Sequence, residues 1–465
     1  MPSAYTADPA IQTIADFLGD AVQAADFPKT ILRFRNDRAA TNVGLESLSD
    51  EEWIAHFGRF QPLPDNLPGP LALRYHGHQF QVYNPDLGDG RGFTFAQLRS
   101  HDGRLLDLGT KGSGQTPWSR FGDGRLTLKG AVREILATEM LEALGVYTSK
   151  TFSVIETGEE LVRGDEPSPT RSAVLVRLSH GHIRIGSFQR LHALEEVGHL
   201  SDLVAYALAQ FPGPPPPADA PGRDLPAVQL MHQVVERLAD LAASYMVAGF
   251  VHGVLNTDNM NVTGESFDYG PWRWLPRFDP GFTAAYFDHQ GLYAYGRQPQ
   301  AIQWNCAQLA MALSPLAEAE PLVAALDRFA PLYRAALARR FCWRLGVAPL
   351  DEEADLALFN AAARHMGETG QAPDAVFFAH RAGRNPPPGP FGALLAARAP
   401  AATLDHAAWQ EPAPPTNHID EVERIWAAID QGDDWSALEA HVAAIRRLGQ
   451  AFGPAPLPAG LIAGD

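Results

Sequence analysis

Cysteine is nearly absent from this sequence, which contains only Cys306 and Cys342 among 465 residues. Two cysteines are too few for a disulfide framework or for a zinc cluster built on thiolates. We expect both to be buried free thiols, because unpaired cysteine usually behaves as a small hydrophobic side chain. The sequence therefore gives no sign of redox chemistry.

The sequence also contains relatively few positively charged residues and lacks long apolar runs. The 37 Lys and Arg residues face 54 Asp and Glu residues, so the formal net charge is -17. Such a charge argues against nucleic acid and against an anionic membrane surface as partners. No stretch approaches the roughly 18 apolar residues of a membrane span, and the N-terminus carries no basic patch ahead of an apolar run. We expect a cytoplasmic protein with no nucleic-acid or membrane partner.

The sequence contains enough hydrophobic residues to form a large core. Hydrophobic residues make up 46% of the chain, and its length suits two to three domains or one two-lobed domain. Composition divides it into a lead-in over residues 1–70 that packs on the main body, a β-rich part over 71–210 and a mostly helical part over 211–465. We expect an α+β fold.

The stretch over residues 250–271 carries the most chemical information. It reads FVHGVLNTDNMNVTGESFDYGP and matches a kinase catalytic loop, which is written His-Arg-Asp, four residues, Asn, and is followed by Asp-Phe-Gly. Asn259 and Asp268 then match the two metal-binding residues. Val254 replaces the kinase Asp and cannot take a proton from a hydroxyl. Either the site is catalytically silent or the neighbouring Asp258 does that work.

Short β-type runs alternate with glycine-rich turns upstream of this stretch. Strands are predicted over residues 78–84, 93–98 and 105–111. The turn LGDGRG lies between the first two strands and Lys111 ends the third, which is the order of a kinase N-terminal lobe. A helix is predicted over residues 126–145, and Glu134 in its first half is the carboxylate expected to hold the lysine.

The remaining patterns predict more strands, then helices. Strand-like runs follow over residues 151–157, 172–179 and 182–188, and helices are predicted over 227–248, 303–316, 319–341, 351–365 and 419–448. Arg177 and Arg184 would lie on neighbouring extended segments. Between residues 91 and 133, eight basic residues face only three acidic ones, so a polyphosphate would be attracted to this part of an otherwise acidic protein.

Several motifs together resemble the selenoprotein O family, also called protein adenylyltransferase or UPF0061, whose members have a protein-kinase-like, two-lobed fold. The motifs are YHGHQF, LGDGRG, KGSGQTPWSRFGDGR, VREIL, HIRIGSF, the stretch over residues 250–271, and YAYGRQPQAIQWN. They occur in the family's order and span about half of the chain. The resemblance implies a β-rich N-terminal lobe with the nucleotide-binding loops and a mostly helical C-terminal lobe with the catalytic loop and a helical extension.

The resemblance also implies an activity. Such proteins bind ATP in a flipped orientation, with the α-phosphorus facing the acceptor, and transfer AMP to Ser, Thr or Tyr hydroxyls of other proteins with release of pyrophosphate. ATP is then a co-substrate and Mg2+ or Mn2+ the metal. Carried over motif by motif, the nucleotide-binding residues are Gly88, Gly90, Arg91, Lys111, Asp123, Gly124, Arg177, Arg184 and Asp268. Asn259 and Asp268 would hold the metal, Lys111 would pair with Glu134, and Asp258 would accept the proton.

The chain departs from the family in two places, and two rival functions stay open. It ends LPAGLIAGD, without the selenocysteine or cysteine of many relatives, and Leu292 replaces the usual Arg before Tyr-Ala-Tyr. One rival is a protein kinase that transfers the γ-phosphate, which Val254 argues against. The other is a silent pseudokinase that binds nucleotide as a scaffold, which would not need both metal ligands.

Plainer interpretations exist for single residues. Asp258 could cap its own loop, because Asp often accepts hydrogen bonds from local backbone donors. Lys111 could be a solvated charge at a strand end, and LGDGRG could be an ordinary hairpin turn. The two His-x-His pairs, at residues 76–78 and 180–182, are expected to be structural, since neither has a third metal ligand in sight.

Overall fold

Most of the β-type runs of the N-terminal part form one antiparallel sheet in the computed structural model, which describes residues 4–164 and 166–458. The strands are β1 (Gly19–Ala21), β2 (Ile31–Arg35), β3 (Leu71–Leu73), β4 (Gly77–Gln79), β5 (Val82–Asn84), β6 (Thr94–Arg99), β7 (Leu105–Lys111), β8 (Leu126–Thr127), β9 (Lys150–Leu161), β10 (Thr170–Ser179), β11 (Phe250–His252) and β12 (Trp272–Trp274). The main sheet has the order β1-β3-β6-β7-β10-β9-β2, with β8 paired to β10. Strands β1 and β2 show that the lead-in contributes to this sheet.

Helices dominate the rest of the chain. They are α1 (Ala15–Leu18), α2 (Asp37–Val43), α3 (Asp50–Phe57), α4 (Leu128–Ala143), α5 (Ile185–Ala193), α6 (Val197–Gln210), α7 (Pro226–Ala248), α8 (Gln298–Leu313), α9 (Ala319–Asp327), α10 (Phe329–Leu345), α11 (Glu352–Thr369), α12 (Pro373–Ala379), α13 (Pro390–Ala396), α14 (Ile419–Gly432) and α15 (Ser436–Phe452). Short 3-10 helices cover Ala10–Thr13, Thr257–Asn259, Tyr295–Arg297, Arg381–Gly383 and Ala407–Gln410. The α+β arrangement of a β-rich N-terminal part and a mostly helical C-terminal part is confirmed. The domain boundaries at residues 70 and 210 stay predictions.

Both faces of the main sheet are covered, which explains why its central strands β6, β7 and β10 are almost entirely buried. One face packs against α4, with Ile135 and Leu136 fully buried beside Val154 of β9. The other face packs against α3, where Trp53 stacks on Phe152 with ring centroids 4.8 Å apart. Strand β7, which ends at Lys111, is buried along its whole length within this sheet.

The helical part positions the catalytic loop. Helix α7 has proline in its first turn and ends at Gly249, whose φ of 65° is the left-handed conformation that favours glycine. The chain then enters β11. The side chain of Gln298 in α8 donates to the carbonyl of Phe250 and accepts from the amide of His252, both at 2.9 Å. Helix α8 thus anchors the strand that leads into the loop.

Four local predictions are wrong. The single helix expected over 319–341 is two helices, α9 and α10, separated at Arg328. Residues 78–84 are not one strand of the main sheet, because the chain reverses at Phe80 and Gln81 and makes the separate hairpin β4–β5. Residues 182–188 are not a strand either, since α5 begins at Ile185. The single helix expected over 419–448 is two helices, α14 and α15, because Asp433 adopts a left-handed φ of 49° between them.

The structure agrees with the prediction that both cysteines are buried free thiols. Cys306 and Cys342 are both buried and unpaired, as expected, and burial raises the pKa of both thiols. Among the described helices, none combines the length and the apolar composition needed to cross a bilayer. Residues 459–465, most of the closing LPAGLIAGD, lie outside the described residues.

Candidate functional site

One cavity of about 660 Å³ collects the candidate site residues from stretches that are far apart in the sequence. Its lining includes Gly88, Gly90, Arg91, Lys111, Asp123, Gly124, Arg177, Arg184, Asp258, Asn259 and Asp268. Glu134 does not line the cavity and lies behind Lys111 instead. All of the residues named from the sequence are therefore brought to one place, Glu134 as the partner of a lining residue.

Lys111 and Glu134 form an ion pair at the back of the cavity. The Nζ atom of Lys111 lies 2.6 Å from Oε2 of Glu134, and the two side chains are only 5% and 1% exposed. Strand β7 supplies the lysine and α4 supplies the glutamate. The Lys111 Nζ atom also lies 3.4 Å from both Asp268 Oδ1 and the carbonyl oxygen of Tyr269. The Lys111 side chain therefore extends from β7 toward Asp268, which follows the catalytic loop in the sequence.

Replacing Glu134 by Ala is expected to destabilise the protein. The change leaves the Lys111 charge buried next to Arg177 without its closest partner, and breaking a buried pair typically costs about 3–5 kcal/mol. We expect a lower midpoint of thermal unfolding for Glu134→Ala, and a partial recovery in the double variant that also carries Lys111→Met. A double variant no more stable than Glu134→Ala would show that the loss comes from packing rather than from the unpaired charge.

Asp268 lies where three cations converge. Its carboxylate oxygens are 3.4 Å from Lys111, 3.4 Å from Arg177 and 3.7 Å from Arg184. Burial raises the pKa of Asp268, but these cations outweigh burial and hold the pKa well below its usual value, so the group is ionised. The residue also adopts a φ of 63°, a strained conformation for a non-glycine residue that often marks a functional position.

The two arginines are buried and tied to aromatic rings. Arg177 lies on β10, and its guanidinium is 5.2 Å from the ring centroid of Phe267. Arg184 stacks over Tyr75 at 4.3 Å. It also donates to Asp89 Oδ1 and to the carbonyl of Asp258, both at 3.0 Å. Because guanidinium groups stay charged, they give the cavity a permanent positive wall suited to phosphate oxygens.

Arg184 is not on a strand beside Arg177. It immediately precedes α5, and its extended backbone makes an isolated bridge with Asn261. The bridge places Arg184 against the catalytic loop rather than beside the main sheet. Arg184 therefore reaches the cavity from the segment before α5, and not from a strand beside Arg177 as predicted.

The glycines permit two loops to pack against each other along the cavity. A Cβ atom on Gly88 would lie 2.3 Å from the Trp118 ring, and one on Gly124 would lie 2.2 Å from the backbone of Gly114. The Ser119 hydroxyl donates to the carbonyl of Gly90 at 2.5 Å. LGDGRG is thus more than a hairpin turn, since it forms one wall of the cavity with the loop that follows Lys111.

Asp258 and Asn259 lie in the short 3-10 helix of the catalytic loop. Burial raises the pKa of Asp258 to about 6, partly opposed by Arg184 and reinforced by the charge of Asp268. Among the described residues, neither Oδ1 of Asp258 nor Nε of Arg184 has a hydrogen-bond partner. Buried polar atoms of this kind are hydrogen-bonded in most proteins, so both atoms keep hydrogen-bonding capacity that the described residues leave unused.

The donor set fits a hard divalent cation. Asn259 donates its amide hydrogen to the carbonyl of Val254 at 3.0 Å, which leaves its Oδ1 as a ligand atom, and Asp268 adds a carboxylate. Within the described residues there is no cluster of three His, Cys, Asp or Glu side chains that could hold a metal. Mg2+ commonly uses only one or two protein oxygens, together with water and substrate phosphates.

The histidine pairs have protein partners. The Nδ1 atom of His76 lies 2.6 Å from the hydroxyl of Tyr83, and His180 lies 2.7 Å from the hydroxyl of Tyr147. His182 lies 3.0 Å from Asp107. Burial lowers the pKa of His180 to about 3, so this ring is neutral.

Several residues of the cavity were not among the predicted site residues, including the following four. Tyr75 and Asp89 contact Arg184, Arg163 pairs with Asp123 at 2.8 Å, and Asn256 accepts hydrogen bonds from two neighbouring segments. Asp89 could have been found, because it is the acidic residue within LGDGRG. Arg163 has no local signal, since the polar sequence RGDEPSP in which it lies matches none of the motifs.

Comparison with known proteins identifies relatives over most of the chain. The family model described as "Protein adenylyltransferase SelO" matches residues 3–383. A protein named "Protein nucleotidyltransferase YdiU" from Synechococcus elongatus is 50% identical over 347 residues, which cover 73% of this chain and 68% of the relative. The protein of the same name from Gloeobacter violaceus is 42% identical over 468 residues, which cover 95% of each chain.

A solved structure also matches, at a low level. It is ROP2 from Toxoplasma gondii, described as a virulence factor with a protein-kinase fold and no enzymatic activity. The TM-score is 0.28 with 12% sequence identity, and the match covers 72% of this chain and 90% of that one. A likeness of this size decides neither fold nor activity.

Proposed function

Since the chain belongs to the SelO family of protein adenylyltransferases, and is thereby a protein nucleotidyltransferase, we propose that it transfers AMP from ATP to Ser, Thr or Tyr hydroxyls of other proteins. Pyrophosphate is the second product. ATP binds in the flipped orientation, with the α-phosphorus toward the acceptor. The observation that carries this proposal is the convergence of Lys111, Arg177 and Arg184 on one cavity that also holds Asp258.

The reaction needs one bond made, one bond broken and one proton moved. The acceptor oxygen bonds to the α-phosphorus, and the bond from that phosphorus to the oxygen between the α- and β-phosphates of ATP breaks, so that this oxygen leaves with pyrophosphate. Asp258 takes the hydroxyl proton, because it is the carboxylate of the loop over residues 250–271 that lines the cavity beside Asn259. Lys111, Arg177 and Arg184 neutralise phosphate oxygens, which is the main demand of such transfers.

The divalent cation would be held by Asn259 and Asp268. Mg2+ or Mn2+ at this position supplies charge neutralisation for the phosphates. Asp268 is well suited to hold it, since its carboxylate is ionised and its nearest protein cation is 3.4 Å away, farther than in a direct charge-assisted hydrogen bond. Arg91, on the exposed edge of the cavity, adds to the positive charge that draws in the nucleotide.

Two rivals make different demands on the same residues. A kinase that transfers the γ-phosphate would need a proton acceptor at the position of Val254. A scaffold that only binds nucleotide would have no use for a buried carboxylate such as Asp258, whose oxygen has no hydrogen-bond partner among the described residues. Transfer of AMP, by contrast, would use Asp258 as the proton acceptor and would not need an acidic residue in place of Val254.

AMP transfer, kinase activity and a scaffold role differ in which phosphate of ATP, if any, becomes covalently attached to protein. The purified protein is incubated with Mg2+ and with ATP labelled at either the α- or the γ-phosphate, in the presence of lysate proteins. We expect label on protein from the α-phosphate only. Label from the γ-phosphate alone would make the protein a kinase. No label from either, with ATP still raising the melting temperature, would favour the scaffold.

A further inference from the structure

Three exposed apolar side chains lie on segments that pack against the catalytic loop. Val82 is 70% exposed, Tyr286 is 80% exposed and Phe287 is 42% exposed. The ring of Phe287 lies 5.8 Å from that of Phe80 and 5.2 Å from that of Tyr286. We name Phe80, Val82, Tyr286 and Phe287 the apolar rim. Large apolar side chains exposed together commonly mark an interaction site.

The hairpin half of the rim is held in a strained conformation. Phe80 and Gln81 form the two-residue turn between β4 and β5, with φ values of 50° and 63°. Such turns favour Asn-Gly, because both positions require positive φ. The catalytic loop holds this turn in place. The amide of Phe80 donates to Asn256 Oδ1 at 3.1 Å, and the amide of His78 donates to Thr257 Oγ1 at 2.7 Å.

The other half of the rim lies on a segment packed against the same loop. A Cβ atom on Gly253 would lie 3.2 Å from the amide nitrogen of Ala285, the residue before Tyr286. The hydroxyl of Tyr293 donates to Asn256 Oδ1 at 2.8 Å, and Asp288 accepts from the amide of Tyr293. Both halves of the rim are therefore connected to Asn256, a residue that lines the cavity with Asp258.

We propose that the apolar rim is the docking surface for the acceptor polypeptide, and that it selects segments with an apolar side chain close to the hydroxyl that receives the nucleotide. The inference rests on the proposed function. A protein acceptor is too large to enter a cavity of about 660 Å³, so only its hydroxyl reaches Asp258 and its flanking residues stay on the surface around the opening. The rim is an apolar surface on two segments, each of which donates a hydrogen bond to Asn256 of that loop. Strain such as that at Phe80 and Gln81 is commonly retained where it serves a function.

The test uses synthetic peptides with a single Ser, Thr or Tyr, flanked either by leucine or by serine, and ATP labelled at the α-phosphate. For the wild type we expect kcat/KM to be roughly tenfold higher with leucine, the size of effect typical of one apolar contact. The double variant Val82→Ser, Tyr286→Ser should lose this preference through a higher KM for the leucine peptides. Its KM for ATP should not change, because neither side chain lines the cavity.

Matched controls remove exposed apolar side chains elsewhere. Met311 in α8 and Val323 in α9 are 62% and 50% exposed, and Met311→Ser with Val323→Ser should leave the preference intact. An unchanged leucine preference in the rim variant, or equal labelling of lysate proteins by the rim variant and the wild type, overturns the inference alone. A wild-type dimer in sedimentation that the rim variant converts to monomer would make the rim a self-association surface. Absence of any α-label with the wild type overturns the proposed function itself.

Discussion

Asp268→Asn is expected to lower the rate of AMP transfer by roughly 10³-fold, the scale seen when a preorganised charge-stabilising group is removed. The substitution keeps the size of the side chain and removes the charge that binds the cation. ATP binding measured without metal should behave differently. Lys111, Arg177 and Arg184 lose the anion on which they converge, so their attraction for the triphosphate should be undiminished or stronger.

The contrast between turnover and binding decides the role of Asp268. Calorimetric titration with ATP in the absence of metal gives the affinity, and the α-label assay gives the rate. Asp279→Asn is a suitable control, because Asp279 lies in the same region of the chain and accepts only a local hydrogen bond from the amide of Gly281. If Asp268→Asn weakens metal-free ATP binding as much as it slows transfer, Asp268 maintains the shape of the cavity rather than holding the metal.

Asp258→Asn should reduce kcat by roughly 10² to 10⁴-fold with little change in KM for ATP, the usual range for loss of a general base. Asparagine occupies the same volume and can still accept a hydrogen bond, but it cannot take the acceptor proton. The measurement is steady-state kinetics with an acceptor protein at varied ATP concentration. Circular dichroism and thermal unfolding of the variant should match the wild type.

The same variant separates the two interpretations of Asp258. If the carboxylate only caps its loop, asparagine should replace it well, because Asn also bonds to local backbone donors. Retention of more than a tenth of wild-type kcat would therefore support the capping interpretation and contradict the base. A large loss of kcat with an intact fold would support Asp258 as the group that takes the proton, and would explain how the site tolerates Val254.

Local sequence patterns predicted much of the fold. Strand β7 was predicted to its last residue at Lys111, and α7 was predicted to within one residue of its start. Both have strong local signals: a buried apolar run ending at a charge in β7, and proline at the start and glycine after the end of α7. The hairpin β4–β5 had no such signal, since Phe80 and Gln81 are not residues that normally mark a reversal.

The sequence by itself determined which chemical groups the site would contain, because Lys111, Asp258 and Asp268 each lie in a short motif whose spacing carries the information. Only the tertiary structure decided how Arg184 and the apolar rim contribute. Arg184 reaches the site through a bridge to Asn261, and the rim exists because Asn256 bonds to two segments, one more than 170 residues before it in the chain. Contacts between residues so distant in sequence follow from the packing of whole elements, and no local pattern of residue types encodes them.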